Sequence, residues 1–147
     1  MKVKDCMSSD VKTVSPDQPI REAAQFMLRQ DAGAMPVGEG DRLVGMVTDR
    51  DIAVRAVAQG RGPDTPVSEV MSADLVFAYD DEEVEDVAIK MSDRQVRRLP
   101  VLSREGEQLV GIVSLADISR SENSEAAGLA LGGVTDPGGE HNQSQEG

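Results

Sequence analysis

The sequence is short of nearly everything that aromatic or basic recognition requires. Its 147 residues hold no Trp, one Tyr, two Phe, one Cys and one His, and 15 Lys plus Arg stand against 27 Asp plus Glu, a formal net charge of −12. With aromatics at 2%, a groove that stacks many bases on rings is excluded. The acidic balance argues equally against a broad basic surface that neutralises a phosphate backbone, so no nucleic-acid partner is expected. Apolar stretches such as Leu43-Val44 and Met46-Val47 around Gly45 fall far below the roughly 18 residues of a spanning helix, and no membrane partner is expected either. Met1-Lys2-Val3-Lys4-Asp5 lacks the apolar region of a secretory signal. A lone Cys6 allows no internal disulfide, which suits a reducing compartment, and a cytoplasmic location is the expectation.

Catalytic sets are missing as well. The only histidine, His141, lies near the C-terminus, and no Ser/His/Asp or Cys/His set, Walker-type loop or Gly-x-Gly-x-x-Gly turn occurs, so the chain reads as a non-enzyme. Cys6 and His141 have no companions at metal-ligand spacing, and no metal site is expected within the chain.

What is present is a repeat. Cys6-Met7-Ser8-Ser9-Asp10 aligns with Val70-Met71-Ser72-Ala73-Asp74, and Ile20, Ala23-Ala24, Met27 and Pro36 align with Val84, Val87-Ala88, Met91 and Pro100 at a constant offset of 64 residues. At Gly45 and Gly111 the offset becomes 66, so the second copy gains two residues in its turn. Ile20, Ala23, Ala24, Met27 and Leu28 form one apolar helical stripe, reproduced by Val84, Val87, Ala88 and Met91. Carboxylates at each helix start, Asp17 in the first copy and Asp80-Asp81-Glu82-Glu83 in the second, complement the helix N-terminus. Two β-rich runs joined by turn residues follow: Ala34 to Val37 and Leu43 to Thr48, then Leu99 to Leu102 and Leu109 to Ser114. A further helix begins near Asp49 and near Leu115. Each copy therefore reads strand, helix, strand, strand, helix, an α/β (α+β) unit.

One unit of about 60 residues exposes a sheet face it can hardly bury alone, so the copies are expected to pack around a pseudo-twofold axis into one module. The expected organisation is repeat 1 over residues 1–62, repeat 2 over 63–120, and an acidic, Gly-rich disordered tail over 121–147. Gly60 to Pro66 is the link between the copies.

Chemistry falls at the end of each copy. Gly45-Met46-Val47-Thr48-Asp49-Arg50-Asp51 matches Gly111-Ile112-Val113-Ser114-Leu115-Ala116-Asp117: a glycine, two apolar residues, a hydroxyl and, three residues on, an aspartate. A Thr or Ser at a strand-to-helix junction can offer its hydroxyl to a phosphate beside free backbone N–H groups. An aspartate one turn on can accept both hydroxyls of a ribose. Thr48 and Ser114 equally suit helix caps, with Asp51 and Asp117 favouring the positive helix end. Capping and binding are compatible.

On these residues the chain resembles a tandem pair of CBS domains, the Bateman module. The resemblance covers roughly Val3 to Arg120 and rests on the duplicated Gly-h-h-Thr/Ser-x-x-Asp, on Ala34-Met35-Pro36-Val37 and Arg98-Leu99-Pro100-Val101, and on the Met-Ser openings. It implies a regulatory module whose two clefts between repeats bind adenosyl compounds such as AMP, ADP, ATP, NAD or S-adenosylmethionine, with no cofactor required. By motif position Asp51 and Asp117 would hold ribose hydroxyls, and Thr48 and Ser114 would touch phosphate. Met46 and Ile112 would line the adenine slot, with the opening strand of the opposite repeat, Thr13-Val14 for one cleft and Val76-Phe77 for the other. Arg97 and Arg98 match basic positions facing phosphate; the first repeat has Gly33 and Ala34 there, with Arg50 as its supplement. The Ser114–Asp117 cleft is therefore preferred. The resemblance further implies a homodimer and a protein target, and is similar to bacterial CBS-pair proteins, some tied to stress or hypoxia. A ligand-independent interaction dimer is the second function class, and a metal site between subunits at Cys6 a weaker third.

Overall fold

The computed structural model describes residues 1–121. Of the tail expected over 121–147, residues 122–147 lie outside them, while Ser121 closes the last helix through its N–H to the Ile118 carbonyl at 3.0 Å. In chain order the elements are α1 (Ile20–Gln30), β1 (Ala34–Glu39), β2 (Arg42–Thr48), α2 (Asp49–Asp51), β3 (Ala78–Tyr79), α3 (Val84–Arg94), β4 (Arg98–Leu102), β5 (Leu109–Ser114) and α4 (Leu115–Ser119). The expected helix-strand-strand-helix order is present in both copies.

The first copy's opening strand is reduced to a single bridge, with the Val14 N–H on the Pro36 carbonyl at 3.2 Å and Gly38 N–H on the Val14 carbonyl at 2.9 Å. The second copy has a true, if short, β3, parallel to β4 through Ala78–Val101 and Tyr79–Leu102. The 64-residue offset carries Val14 onto Ala78, so this strand starts two residues later than Val76.

The chain forms two compact units, and their membership crosses the sequence repeats. Among the described residues, one comprises Met1–Val11 with residues 76–121, and the other comprises Lys12–Leu75. Val3 belongs to the core of Val84, Val87, Ala88, Met91, Leu99, Val101, Val113 and Ile118. Val67 and Val70 belong to the core of Val14, Ile20, Ala23, Met27, Met35, Val37, Val47 and Ala56. Each Val, Leu, Ile or Met side chain among them contributes about 1.5–3 kcal/mol of transfer free energy on burial, and the alanines less. The segment between the copies is thus structural: Ile20 and Arg21 donate their N–H groups to Thr65 and Pro63 carbonyls at 2.8 and 3.1 Å, and Val67 N–H reaches the Gln18 carbonyl at 2.8 Å.

The two helical stripes differ. Val84, Val87, Ala88 and Met91 are all fully buried, as expected. On α1 only Ile20, Ala23 and Met27 are buried; Ala24 faces water and Leu28 is 82% exposed. Both helices end on a residue in the left-handed region, Asp31 (φ 51°) and Gln95 (φ 54°), 64 positions apart. The two additional residues of the second hairpin lie between Leu102 and Leu109, where Gly106 (φ 82°) and Glu107 (φ 51°) make the longer turn.

Candidate functional site

Antiparallel β1–β2 and β4–β5 hairpins deliver each hydroxyl to a helix start. Thr48 lies opposite Ala34, and Ser114 opposite Arg98. The start of each following helix is anchored to the first strand's approach: Asp49 N–H donates to the Gly33 carbonyl at 2.9 Å, and Leu115 N–H to the Arg97 carbonyl at 2.8 Å.

At both places the hydroxyl and the aspartate close on each other. Thr48 Oγ1 accepts the Asp51 N–H at 3.0 Å, and Asp51 Oδ2 accepts the Thr48 N–H at 3.0 Å. Ser114 Oγ accepts the Asp117 N–H at 3.0 Å, and Asp117 Oδ2 accepts the Ser114 N–H at 2.9 Å. These are reciprocal capping boxes, each satisfying two helix-start donors. Each box leaves one hydroxyl proton and one carboxylate oxygen, Oδ1, unused by the cap.

What meets that Oδ1 differs. In the second copy Arg120 Nη2 donates to Asp117 Oδ1 at 2.7 Å. In the first, Arg55 Nε stands 3.9 Å from Asp51 Oδ1, while Arg55 Nη1 donates to the Met71 and Val70 carbonyls at 3.2 and 3.4 Å. Sequence reasoning passed over both arginines; their signal was a basic residue three or four positions after the aspartate, where a helix returns to the same face.

The remaining expected residues fall into two groups, one on each unit. Met46 and Ile112 are half-buried on β2 and β5, and their backbones are held by paired N–H···O=C bonds, Met46 with Ser72 at 3.0 and 2.8 Å, Ile112 with Ser8 at 2.9 Å both ways. Thr13 is exposed beside Gly38, whereas the Val14 side chain is 2% exposed and belongs to the core. Both stand on the unit of Met46, Thr48, Arg50 and Asp51. Val76 packs against the other core, and Phe77 meets Tyr79 edge-on with centroids 5.2 Å apart. They share their unit with Arg97, Arg98, Ile112, Ser114 and Asp117. Arg98 is half-buried, and the Arg50 and Arg97 side chains are exposed.

The Met-Ser openings and the motif glycines explain each other. A Cβ on Gly45 would stand 2.8 Å from Met71 Sδ and 2.8 Å from the Ser72 carbonyl; one on Gly111 would stand 2.5 Å from Met7 Sδ and 2.9 Å from the Ser8 carbonyl. Met7-Ser8 crosses β5 and Met71-Ser72 crosses β2 too closely for any side chain. Cys6, next to this crossing, has its thiol pushed up by burial, with the carboxylates of Asp117 and Asp5 adding to it. Among the described residues no three His, Cys, Asp or Glu side chains gather as metal ligands, and no helix is long and apolar enough to cross a membrane.

Comparison with known proteins agrees with this geometry. The family model described as CBS domain matches twice, over residues 3–57 and 67–123. The chain belongs to the CBS-domain family and carries a pair of these domains. It is 48% identical over 134 residues to the CBS domain-containing protein YhcV of Bacillus subtilis, covering 90% of this chain and 94% of that one. It is 39% identical over 119 residues to Hypoxic response protein 1 of Mycobacterium tuberculosis, covering 80% and 82%. Among solved structures, Hypoxic Response Protein I with two coordinated zinc ions superposes with a TM-score of 0.74 at 37% identity, covering 82% of this chain and 98% of that one. The CBS domain pair of MJ0100 in complex with 5′-methylthioadenosine and S-adenosyl-L-methionine superposes with a TM-score of 0.72 at 34% identity, covering 85% and 98%.

Proposed function

We propose that this protein is a non-catalytic sensor of an adenosyl compound, AMP, ADP, ATP, NAD or S-adenosylmethionine, bound at the duplicated hydroxyl–aspartate site and read by a protein target. The observation that carries the reading is the pair of matching capping boxes, each leaving a carboxylate oxygen and a hydroxyl proton outside the cap. The MJ0100 pair, solved with two adenosyl compounds, supports the choice of ligand class. In this reading Asp51 and Asp117 accept ribose hydroxyls, Thr48 and Ser114 donate to phosphate, and Arg50, Arg97 and Arg98 supply positive charge. Met46 and Ile112, with Thr13 and Phe77, flank the base. Binding regulates only if the ligand prefers one state of the protein over another. A homodimer is part of the proposal, supported by the exposed apolar side chains Leu28 on α1 and Ile89 on α3.

A thermal-shift panel of adenosine, AMP, ADP, ATP, NAD, NADH and S-adenosylmethionine tests it, because a ligand that binds only the folded state raises its stability. A selective rise is expected. No rise with any compound at millimolar concentration would transfer the reading to a ligand-free interaction module.

A further inference from the structure

The two aspartates that cap their helices alike are not equally open to a ligand. Asp117 Oδ1 receives a charge-assisted hydrogen bond from Arg120 at 2.7 Å, and the carboxylate is 13% exposed. Arg120 itself is 71% exposed, so it reaches in from solvent and can leave without disturbing a packed element. Among the described residues Asp51 Oδ1 meets only Arg55 Nε, at 3.9 Å, and Nη1 of that guanidinium donates to the Met71 and Val70 carbonyls. The backbone bond to Oδ2 belongs to the cap in both copies, which leaves Oδ1 as the oxygen the cap does not use and the one open to a ribose hydroxyl.

We propose that Arg120 is a competitive latch on the second site: a ribose at Asp117 must displace it, whereas a ribose at Asp51 displaces nothing of comparable strength. The inference rests on the adenosyl reading above and deepens it, because it ranks the two sites. It reverses the preference that Arg97 and Arg98 alone suggest, for any ligand without phosphate. An exposed ion pair is weak, so the latch is worth about a two- to fivefold change in affinity. It is also screened: the Debye length falls from about 14 Å at 0.05 M to about 4 Å at 0.5 M salt, and the latch loosens accordingly.

The test uses the full chain, 5′-methylthioadenosine as a ribose-bearing probe without phosphate, and calorimetric titration in an Asp51→Asn background that isolates the second site. Arg120→Ala should lower the dissociation constant about two- to fivefold. Without that substitution, binding should tighten between about 0.05 and about 0.5 M NaCl, whereas the Arg120→Ala protein should be insensitive to salt. Arg55→Ala, made in an Asp117→Asn background to isolate the first site, should change affinity less than Arg120→Ala does. Unchanged or weaker binding in Arg120→Ala, or the same salt response in both proteins, would overturn the latch while leaving the adenosyl site standing. Absence of binding by the unsubstituted protein and by every variant would overturn the adenosyl reading itself, and the latch with it.

Discussion

Tyr79 and Ser15 occupy equivalent positions in the two repeats, as do Phe77 and Thr13. In the second copy they build a lock: Phe77 meets Tyr79 at an interplanar angle of 85°, Arg104 sits 4.2 Å over the Tyr79 ring, and the Tyr79 hydroxyl donates to Glu107 at 2.6 Å. Arg104 also grips Asp81 through three hydrogen bonds of 2.9–3.1 Å. In the first copy the opening strand shrinks to the Val14 bridge, and the helix that begins at Asp49 passes into a wider π turn over Ile52–Ala56. The same backbone plan has been elaborated on one side only. The repeats agree at caps, motif glycines and Met-Ser crossings, and differ in edge aromatics and in the arginine that meets each aspartate.

The largest effect that sharpens this contrast is expected in the cores. Met91 is fully buried and Met27 is 6% exposed, so Met91→Ala should cost about 2–5 kcal/mol and Met27→Ala should fall at or below the lower end of that range. Urea denaturation measures both, and equal losses would erase the difference in packing. Next come Gly111→Ala and Gly45→Ala, each expected to lose about 1–3 kcal/mol because the new Cβ meets a backbone carbonyl at 2.9 or 2.8 Å that side-chain motion cannot relieve. A neutral result at either would mean the crossing is not tight. Smaller and opposite in sign, Gln95→Gly should raise the melting temperature by more than Asp31→Gly, since aspartate tolerates the left-handed region better than glutamine.

The smallest effect is in acid. Lys2 beside Glu83, and Arg104 beside Asp81, hold these carboxyls below their usual 4.5 and 3.8. A depressed carboxyl stabilises the fold above its unfolded value and loses that contribution as pH falls through the folded one. Melting temperature should therefore decline more steeply below about pH 4.5 in the natural sequence than in Lys2→Ala, by a margin that solvent screening keeps small. Identical profiles would show that the pair contributes nothing.

Much of this was legible from side-chain spacing. The 64-residue offset, the apolar i, i+3, i+4 pattern and the Gly-h-h-Thr/Ser-x-x-Asp doublet give both hairpins and both caps, because local periodicity and capping act within one turn of chain. The crossing was not legible: that Val3 joins the core of Met91, and Val67 that of Met27, depends on long-range packing no local pattern encodes. Leu28 fits the stripe by spacing yet faces water, because burial also needs a neighbour on that side. The arginine at Asp117 Oδ1 escaped for a similar reason, since the sequence shows a basic residue near an aspartate but not which oxygen is left over after capping.

The central claim is that both hydroxyl–aspartate doublets are adenosyl sites. It is tested most directly by calorimetric titration of S-adenosylmethionine into the natural sequence, Asp51→Asn, Asp117→Asn and the double variant. Asparagine keeps one oxygen as acceptor for the cap, removes the charge and replaces the outer carboxylate oxygen with an NH2 donor. Each single substitution should weaken one site by about 1–3 kcal/mol and spare the other, and the double variant should be weakened by that amount at both. Unchanged affinity and stoichiometry in the double variant would contradict the account.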